Sequence, residues 1–326
     1  DSSAVRAGYP TGWALFRAVL NRWSHAVWEI GAASAGANGS VRAPQFSLRY
    51  FSPAAPLRAW VSSYYVFEAD VPALTDTLRA ELPQVRFMYA GTGSFNYGDG
   101  PTVRMPQAAL CGATNMAVYF RANGPLKIFG AGLLPAGWAA LVGAGASEFS
   151  DQLTDLEDVA GPVARRALHR MGEARSHREV VAAADAFFLL LSMQAKPPPI
   201  WFTRAADEWL ANSINPDVND LVKATGMSSR QIERLALRVY GASPKMLSRK
   251  YRALQAAVRL GLDPEAGWEQ AAAGAFYDQS HFIRDFKTFV GMTPSQFADK
   301  DSPWITRLTI AKRQNLVTMP KLNFVS

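Results

Sequence analysis

The sequence predicts an α+β protein in two parts, an antiparallel β-sandwich or barrel followed by an all-α domain built on a duplicated helix-turn-helix. Three observations carry this expectation. Residues 46–160 hold short β-like runs separated by Gly, Pro and Asn clusters. From residue 161 the apolar spacing changes to a helical period. Between 228 and 297 one segment recurs after fifty residues.

With 326 residues, 49% of them hydrophobic and 19% charged, the chain can fill two cores, and disorder is not expected. Residues 1–45 form an arm with Trp13, Trp23 and Trp28 on a helix, followed by a Gly/Ala/Ser-rich loop; no role is assigned to it. The β-like runs of 46–160 are "FSLRYF", "SSYYVFEA", "VRFMYAG", "AVYFRA" and "LKIFGAGLL". Strand alternation is visible where Val85, Phe87 and Tyr89 interleave with Arg86 and Met88. Residues 129–146 carry no charge, but five glycines and Pro135 interrupt them, so a strand, a turn and a short buried helix are expected rather than a membrane span. Residues 161–199 make a helical connector whose apolar run "REVVAAADAFFLLLSM" is expected to pack on its own domain or on a second copy. Pro197-Pro198-Pro199 then forms a stiff boundary. Residues 200–300 hold the repeat, and the tail 301–326 has no assigned role.

In the repeat, Ser228 aligns with Asp278, Ile232 with Phe282, Arg234 with Arg284, Gly241 with Gly291, Pro244 with Pro294 and Leu247 with Phe297. Each copy reads as a capped short helix, a left-handed glycine stop and a new helix opened by Ser-Pro or Thr-Pro. Ser228 and Gln231 have capping-box spacing. Ile232, Leu235 and Val239 form one buried stripe; Phe282, Phe286 and Phe289 form the other. A further short helix precedes each copy, which completes helix-turn-helix grammar. The faces left over carry Arg230, Gln231, Arg234 and Arg238 in the first copy, and Gln279, Ser280, His281, Arg284 and Lys287 in the second. Arginine and glutamine grip base edges with paired hydrogen bonds, while lysine and serine more often hold phosphate. Between the copies, residues 244–260 read as one helix of about 25 Å, compatible with two reading heads about 34 Å apart. Residues 228–259 contain eight basic residues against Glu233 alone, a surplus that suits a polyanion.

These residues closely resemble the DNA-binding domain of the AraC/XylS family of bacterial transcription regulators, over about residues 200–299. The segment "FYDQSHFIRDFKTFVGMTPSQF" carries the match, with Phe276, Phe282, Arg284, Phe286, Lys287, Gly291, Pro294 and Phe297 in the family's positions. The resemblance implies two helix-turn-helix modules joined by a linker helix. It also implies base contacts from Ser229, Arg230, Glu233 and Arg234, and from Gln279, Ser280, His281 and Arg284. The chain departs from the pattern at Ala236, Leu237 and Ala275, which points to looser packing in the first module. "PLRAWVSSYYVFEAD", "GAGLLPAGW" and "LTDLEDVAG" are similar to cupin-like sensor domains found in a branch of this family, implying a small β-barrel that binds an effector or helps dimerise.

The expected function is sequence-specific transcription regulation. Double-stranded promoter DNA is the main partner, with RNA polymerase as another if the outcome is activation. A small-molecule effector is expected in the barrel, with Tyr65, Phe87 and Tyr89 as candidate ligand-binding residues or, in the plainer reading, barrel core. A homodimer through 161–195 is also compatible with the sequence. The alternatives are an architectural DNA-binding protein without a sensor, and a cupin-type enzyme. The enzyme is disfavoured because residues 46–160 contain no histidine to hold a metal, and no nucleophile elbow, P-loop or dinucleotide motif is present. No cofactor and no membrane association are expected. The single cysteine, Cys111, excludes a disulfide framework; it reads as a small hydrophobe or a redox sensor. With no secretion signal near the start, a cytoplasmic location is expected.

Overall fold

The computed structural model describes residues 45–263, 265–298 and 304–313, so the expected helix bearing Trp13, Trp23 and Trp28 lies outside the described residues. Residues 45–155 form one antiparallel sheet. Its strands are β1 (Gln45–Phe51), β2 (Val61–Asp70), β3 (Ala73–Leu78), β4 (Gln84–Tyr97), β5 (Thr102–Arg104), β6 (Ala108–Cys111), β7 (Val118–Leu133) and β8 (Leu153–Asp155). The main path runs β1-β2-β7-β4-β6-β8, with β3 beside β7 and β5 beside β4. The long strands β4 and β7 pair from Gln84–Gly132 to Tyr97–Val118 and carry the other strands on their two flanks.

The sheet is open, which corrects the expected closed barrel. Among the described residues β1 pairs with β2 and the three-residue β8 with β6, and these two edges do not meet. Register shifts around Ala90 bend β4 so that the sheet curls without closing. Gly91 makes this bend possible: its φ is +86°, and a Cβ there would lie 2.6 Å from Leu126 and 2.7 Å from the Asn123 carbonyl.

Strand alternation gives the sheet two apolar faces. Tyr64, Val66, Val85, Phe87, Leu110 and Phe129 point to one, and Phe67, Met88, Phe95, Ala109, Cys111 and Phe120 to the other. The first face is covered by α1 (Leu156–Ala160), α2 (Val163–Glu173) and α3 (His177–Ser192). Phe187 meets Phe87 edge-on at 5.4 Å, Phe188 stacks on Tyr64 at 5.9 Å, and the Tyr64 hydroxyl donates to Asp185 at 2.9 Å. The apolar face of α3 thus packs on the chain's own sheet. The uncharged run from Phe129 is the end of β7 followed by a helical turn over Pro135–Val142. Among the described residues no helix is long and apolar enough to cross a membrane.

After Pro197–Pro199 come α4 (Ile200–Asn212), α5 (Val218–Thr225), α6 (Ser229–Tyr240), α7 (Pro244–Leu262), α8 (Trp268–Ala272), α9 (Gln279–Val290) and α10 (Pro294–Ala298). The tail, to which no role was assigned from sequence, adds the helix α11 (Trp304–Arg313). The first module's core joins Phe202, Leu210, Leu221, Ile232, Val239, Leu247 and Tyr251. The second joins Leu254, Ala257, Leu260, Phe282, Phe286, Val290 and Phe297. The 19-residue α7 contributes to both, so it is a shared wall as well as a connector.

The same helix anchors the helical part to the sheet. Lys250, 2% exposed, passes between two strand connections and donates to the carbonyls of Glu81 at 3.0 Å and Thr114 at 2.8 Å. Those connections are tied to each other: Thr114 N–H donates to Glu81 O, and Glu81 N–H to the Thr114 hydroxyl. Burial lowers the Lys250 pKa from 10.5 to about 8, against the pull of Asp151 and Glu81. The charged form is therefore the penalised one below pH 8, and the penalty is relieved as pH rises from 8 towards 10.5. Lys250→Met removes this titration but takes its donor from the Thr114 carbonyl, a cost of about 1–3 kcal/mol, while the Glu81 carbonyl keeps the Thr114 N–H. Denaturant midpoints measured from about neutral pH up to pH 10.5 are expected to rise through pH 8–10.5 in the parent protein and to lack that rise in the variant. An equal alkaline rise in the variant would show that the buried lysine is not the group that titrates at the junction.

Candidate nucleic-acid interface

Helices α6 and α9 have the local chemistry their sequences encode. Ser228 and Gln231 form a reciprocal capping box on α6, with Ser228 N–H donating to Gln231 Oε1 at 3.0 Å. Asp278 caps α9 by accepting the His281 N–H at 2.8 Å, and its other oxygen lies 2.9 Å from His281 Nδ1. These contacts from the His281 backbone and ring hold the Asp278 carboxyl below its ordinary range. Both helices stop at left-handed glycines, Gly241 at φ +76° and Gly291 at φ +91°. Ile232 and Val239, and Phe282, Phe286 and Phe289, face inward, with Leu235 half-buried at the edge of the first stripe.

The outward faces hold every residue expected at the DNA. Ser228, Ser229, Arg230, Gln231, Glu233, Arg234 and Arg238 are exposed on the first module. Gln279, Ser280, His281, Arg284 and Lys287 are exposed on the second. Gln231 and His281 are partly engaged by their caps, which fixes the entry turn of each helix and limits their reach outward.

The basic surplus of 228–259 divides in two. Arg230, Arg234, Arg238 and Lys245 are exposed, whereas Arg249, Lys250, Arg252 and Arg259 serve the interior. Arg249 makes two bonds to Asp285 of α9, at 3.1 and 2.7 Å, and Arg252 reaches the same carboxylate at 3.5 Å. Arg252 also lies over Phe276 at 5.0 Å and donates to the Ala275 carbonyl, while Arg259 donates to that of Ala271. Only about half of the surplus is therefore available to a polyanion. The other half fixes α9 to α7.

The C-terminal ends of both candidate reading helices rest on the sheet's connections. Gly241 O accepts from Ser150 Oγ at 2.8 Å and from Asn115 Nδ2 at 3.3 Å. Thr288 O accepts from Ala117 N–H at 2.8 Å, and Phe289 O from Ala80 N–H at 2.7 Å. The connection 112–117 thus touches α6, α7 and α9 through Asn115, Thr114 and Ala117.

The second face of the sheet lines a partly open cavity of about 90 Å³. Tyr65 lines it, as do Phe95, Phe120, Met88 and Ile128, with Glu81, Gln84 and Arg86 at its polar end. Phe87 and Tyr89 do not: they face the helices α2 and α3 on the opposite side of β4. Sequence reasoning missed Arg86, whose only signal was a charge among the apolar residues of a strand. Cys111 lies buried beside this cluster, and burial pushes its thiol up to about 11. Among the described residues no group of His, Cys, Asp and Glu could hold a metal ion.

Asp285 is the link through which α7 positions α9. Asp285→Ala leaves Arg249 and Arg252 half-buried without their carboxylate, at a cost of about 2 kcal/mol after allowance for the solvent that reaches both arginines. Equilibrium unfolding is expected to register that loss. A change within about 0.5 kcal/mol, the range of ordinary surface substitutions, would contradict the role.

Comparison with known proteins agrees on the helical part. Residues 221–300 match the family model described as "Helix-turn-helix domain". No curated protein sequence matches the chain. Among solved structures, ToxT from Vibrio cholerae O395 is 11% identical, with a TM-score of 0.39 over 78% of this chain and 96% of that one. ToxT of the same organism bound to an unsaturated fatty acid is 9% identical, with a TM-score of 0.39 over 78% and 94%. On its sequence motif, its repeated module and the family match, residues 221–300 of this chain are a helix-turn-helix domain of the AraC type.

Proposed function

We propose that the protein is a sequence-specific DNA-binding transcription regulator whose α6 and α9 enter successive major grooves and whose sheet domain takes a small-molecule effector. The observation that carries this reading is the pair of capped helices, each with an apolar face sealed into a core and an arginine-bearing face left exposed. Arg234 and Arg284 occupy equivalent places in the two copies and are assigned to base edges. Ser229, Arg230, Glu233, Gln279, Ser280 and His281 complete the base-facing set, and Arg238 and Lys287 hold phosphate.

The sheet domain supplies the reason for a regulator rather than a plain DNA clamp. It lines a largely apolar cavity, and its connection 112–117 touches both reading helices and the linker. A change at the cavity therefore has a short covalent and hydrogen-bonded route to the DNA-facing helices. No catalytic role is assigned. A cytoplasmic location, promoter DNA, RNA polymerase in the event of activation, and a homodimer belong to the same proposal.

Selection of bound sequences from random DNA by the full chain is expected to return one motif with two half-sites. On that motif Arg284→Ala should lose about 1–3 kcal/mol and relax preference at one base pair, while Lys287→Ala should weaken all sequences alike and lower the salt dependence. Recovery of no motif, or an Arg284→Ala protein with unchanged affinity and preference, would refute the assignment.

A further inference from the structure

The tail helix α11 bridges two cores. Ile305 and Leu308 pack on the second face of the sheet and, with Thr309, line the cavity. Ile310, 1% exposed, is in the core of the second helix-turn-helix module and packs on Gly261 of α7. The helix is fixed to β3 at its start: Ile305 N–H donates to Asp76 Oδ2 at 2.8 Å, and the Thr306 hydroxyl to Thr77 O at 3.3 Å. The cavity is thus walled by the N-terminal sheet and roofed by the C-terminal helix.

Its lining constrains what can bind. The walls are Leu48, Phe67, Met88, Phe95, Phe120 and Ile128, and the polar end is already satisfied internally. Arg86 donates to Glu81 at 2.8 Å and to Gln84 at 3.1 Å, and its guanidinium lies over Phe95 at 5.4 Å. Gln84 donates to Glu81, and the Tyr65 hydroxyl to Gln84. The Arg86 charge is balanced by Glu81, and the other basic residue of the lining, Arg121, is exposed to solvent, so an anion seated at the polar end would be desolvated against a cation that is already paired. A molecule with one neutral hydroxyl or amine can instead join this network as donor or acceptor. At about 90 Å³ the cavity, which is partly open to solvent, is smaller than the roughly 150 Å³ that accommodates benzene in a buried apolar site, so a single-ring occupant either extends through the opening or displaces the roof.

We propose that this cavity binds a small, uncharged, mostly apolar molecule with a single hydrogen-bonding end, of the size of a phenol, and that its entry lifts α11 from the sheet. Because Ile310 of the same helix closes the second module, occupancy acts on α9 and changes DNA affinity. The connection to DNA rests on the regulator function proposed above; the binding site does not.

Calorimetric titration of the full chain with 4-methylphenol tests the site, with 4-methylbenzoate as its charged counterpart. The expected result is measurable binding of the phenol and at least tenfold weaker binding of the benzoate. Leu308→Trp fills the cavity from the roof and Ile128→Phe from the sheet; each should weaken the phenol at least tenfold while the far-ultraviolet dichroism stays that of the parent. Loss of that dichroism in one variant leaves the other to decide. No phenol binding, equal binding of the benzoate, or phenol binding that survives both substitutions would overturn the site. With a selected DNA motif, saturating phenol should shift affinity at least threefold in the parent and not in Leu308→Trp. A motif that binds with no phenol effect overturns the inference alone, whereas the absence of any motif overturns the regulator reading.

Discussion

Lys250 projects from the helix shared by the two modules and closes on two carbonyls of the sheet's connections, and the rest of the arrangement depends on this buried cation. An ammonium in that position is costly to desolvate, and only a fixed cage of acceptors makes it tolerable. The cage requires residues 79–82 and 112–117 to keep their mutual hydrogen bonds, and those two segments also receive the ends of α9 and α6. A polar junction of this kind has one satisfied geometry. It therefore specifies how the modules sit on the sheet more sharply than apolar contact alone, which tolerates sliding.

The basic side chains of the helical part serve two different ends. Charges on α6 and α9 that point outward are exposed, while Arg249, Lys250, Arg252 and Arg259 of α7 are drawn inward to Asp285, to backbone carbonyls and to the sheet. Arg249 and Arg252 hold α9 through its one buried carboxylate, Asp285, so the second candidate reading helix is oriented by a polar tie to α7 as well as by its own apolar face. Together with the glycine stops, whose close approach leaves no space for a Cβ beside Ser150 or Thr77, this fixes both helices at their C-terminal ends. Their N-terminal halves, which would approach DNA, remain exposed.

Local codes were the most legible part of the sequence. Ser228 with Gln231, Asp278, and the stops at Gly241 and Gly291 all mark helix ends through interactions within four residues, and each appears in the structure. The antiparallel character of residues 46–155 was also readable from alternation. Barrel closure was not, because it depends on whether β1 and β8 meet, and the strand ends carry no signal for that. Alternation places Phe87 and Tyr89 on one face of β4 but does not say which face is covered by helices and which lines a cavity. Lys250 had a usable signal: it shares a helical face with Leu247, Tyr251 and Leu254, a position where a solvated lysine is not expected. The tail helix α11 follows Ser302-Pro303, an opening of the Ser-Pro kind also found in the repeat, but it has no strong apolar stripe, and its partners on the sheet lie about 230 residues away, as with Ile305 and Asp76.

If one rigid framework presents two reading helices to the same duplex, the contact pattern on DNA must show it. Hydroxyl-radical footprinting of the full chain on its selected DNA site tests this most directly. Two protected patches are expected on one face of the duplex, about one helical turn or roughly 10 base pairs apart. A single protected patch, or two patches on opposite faces, would contradict the shared framework.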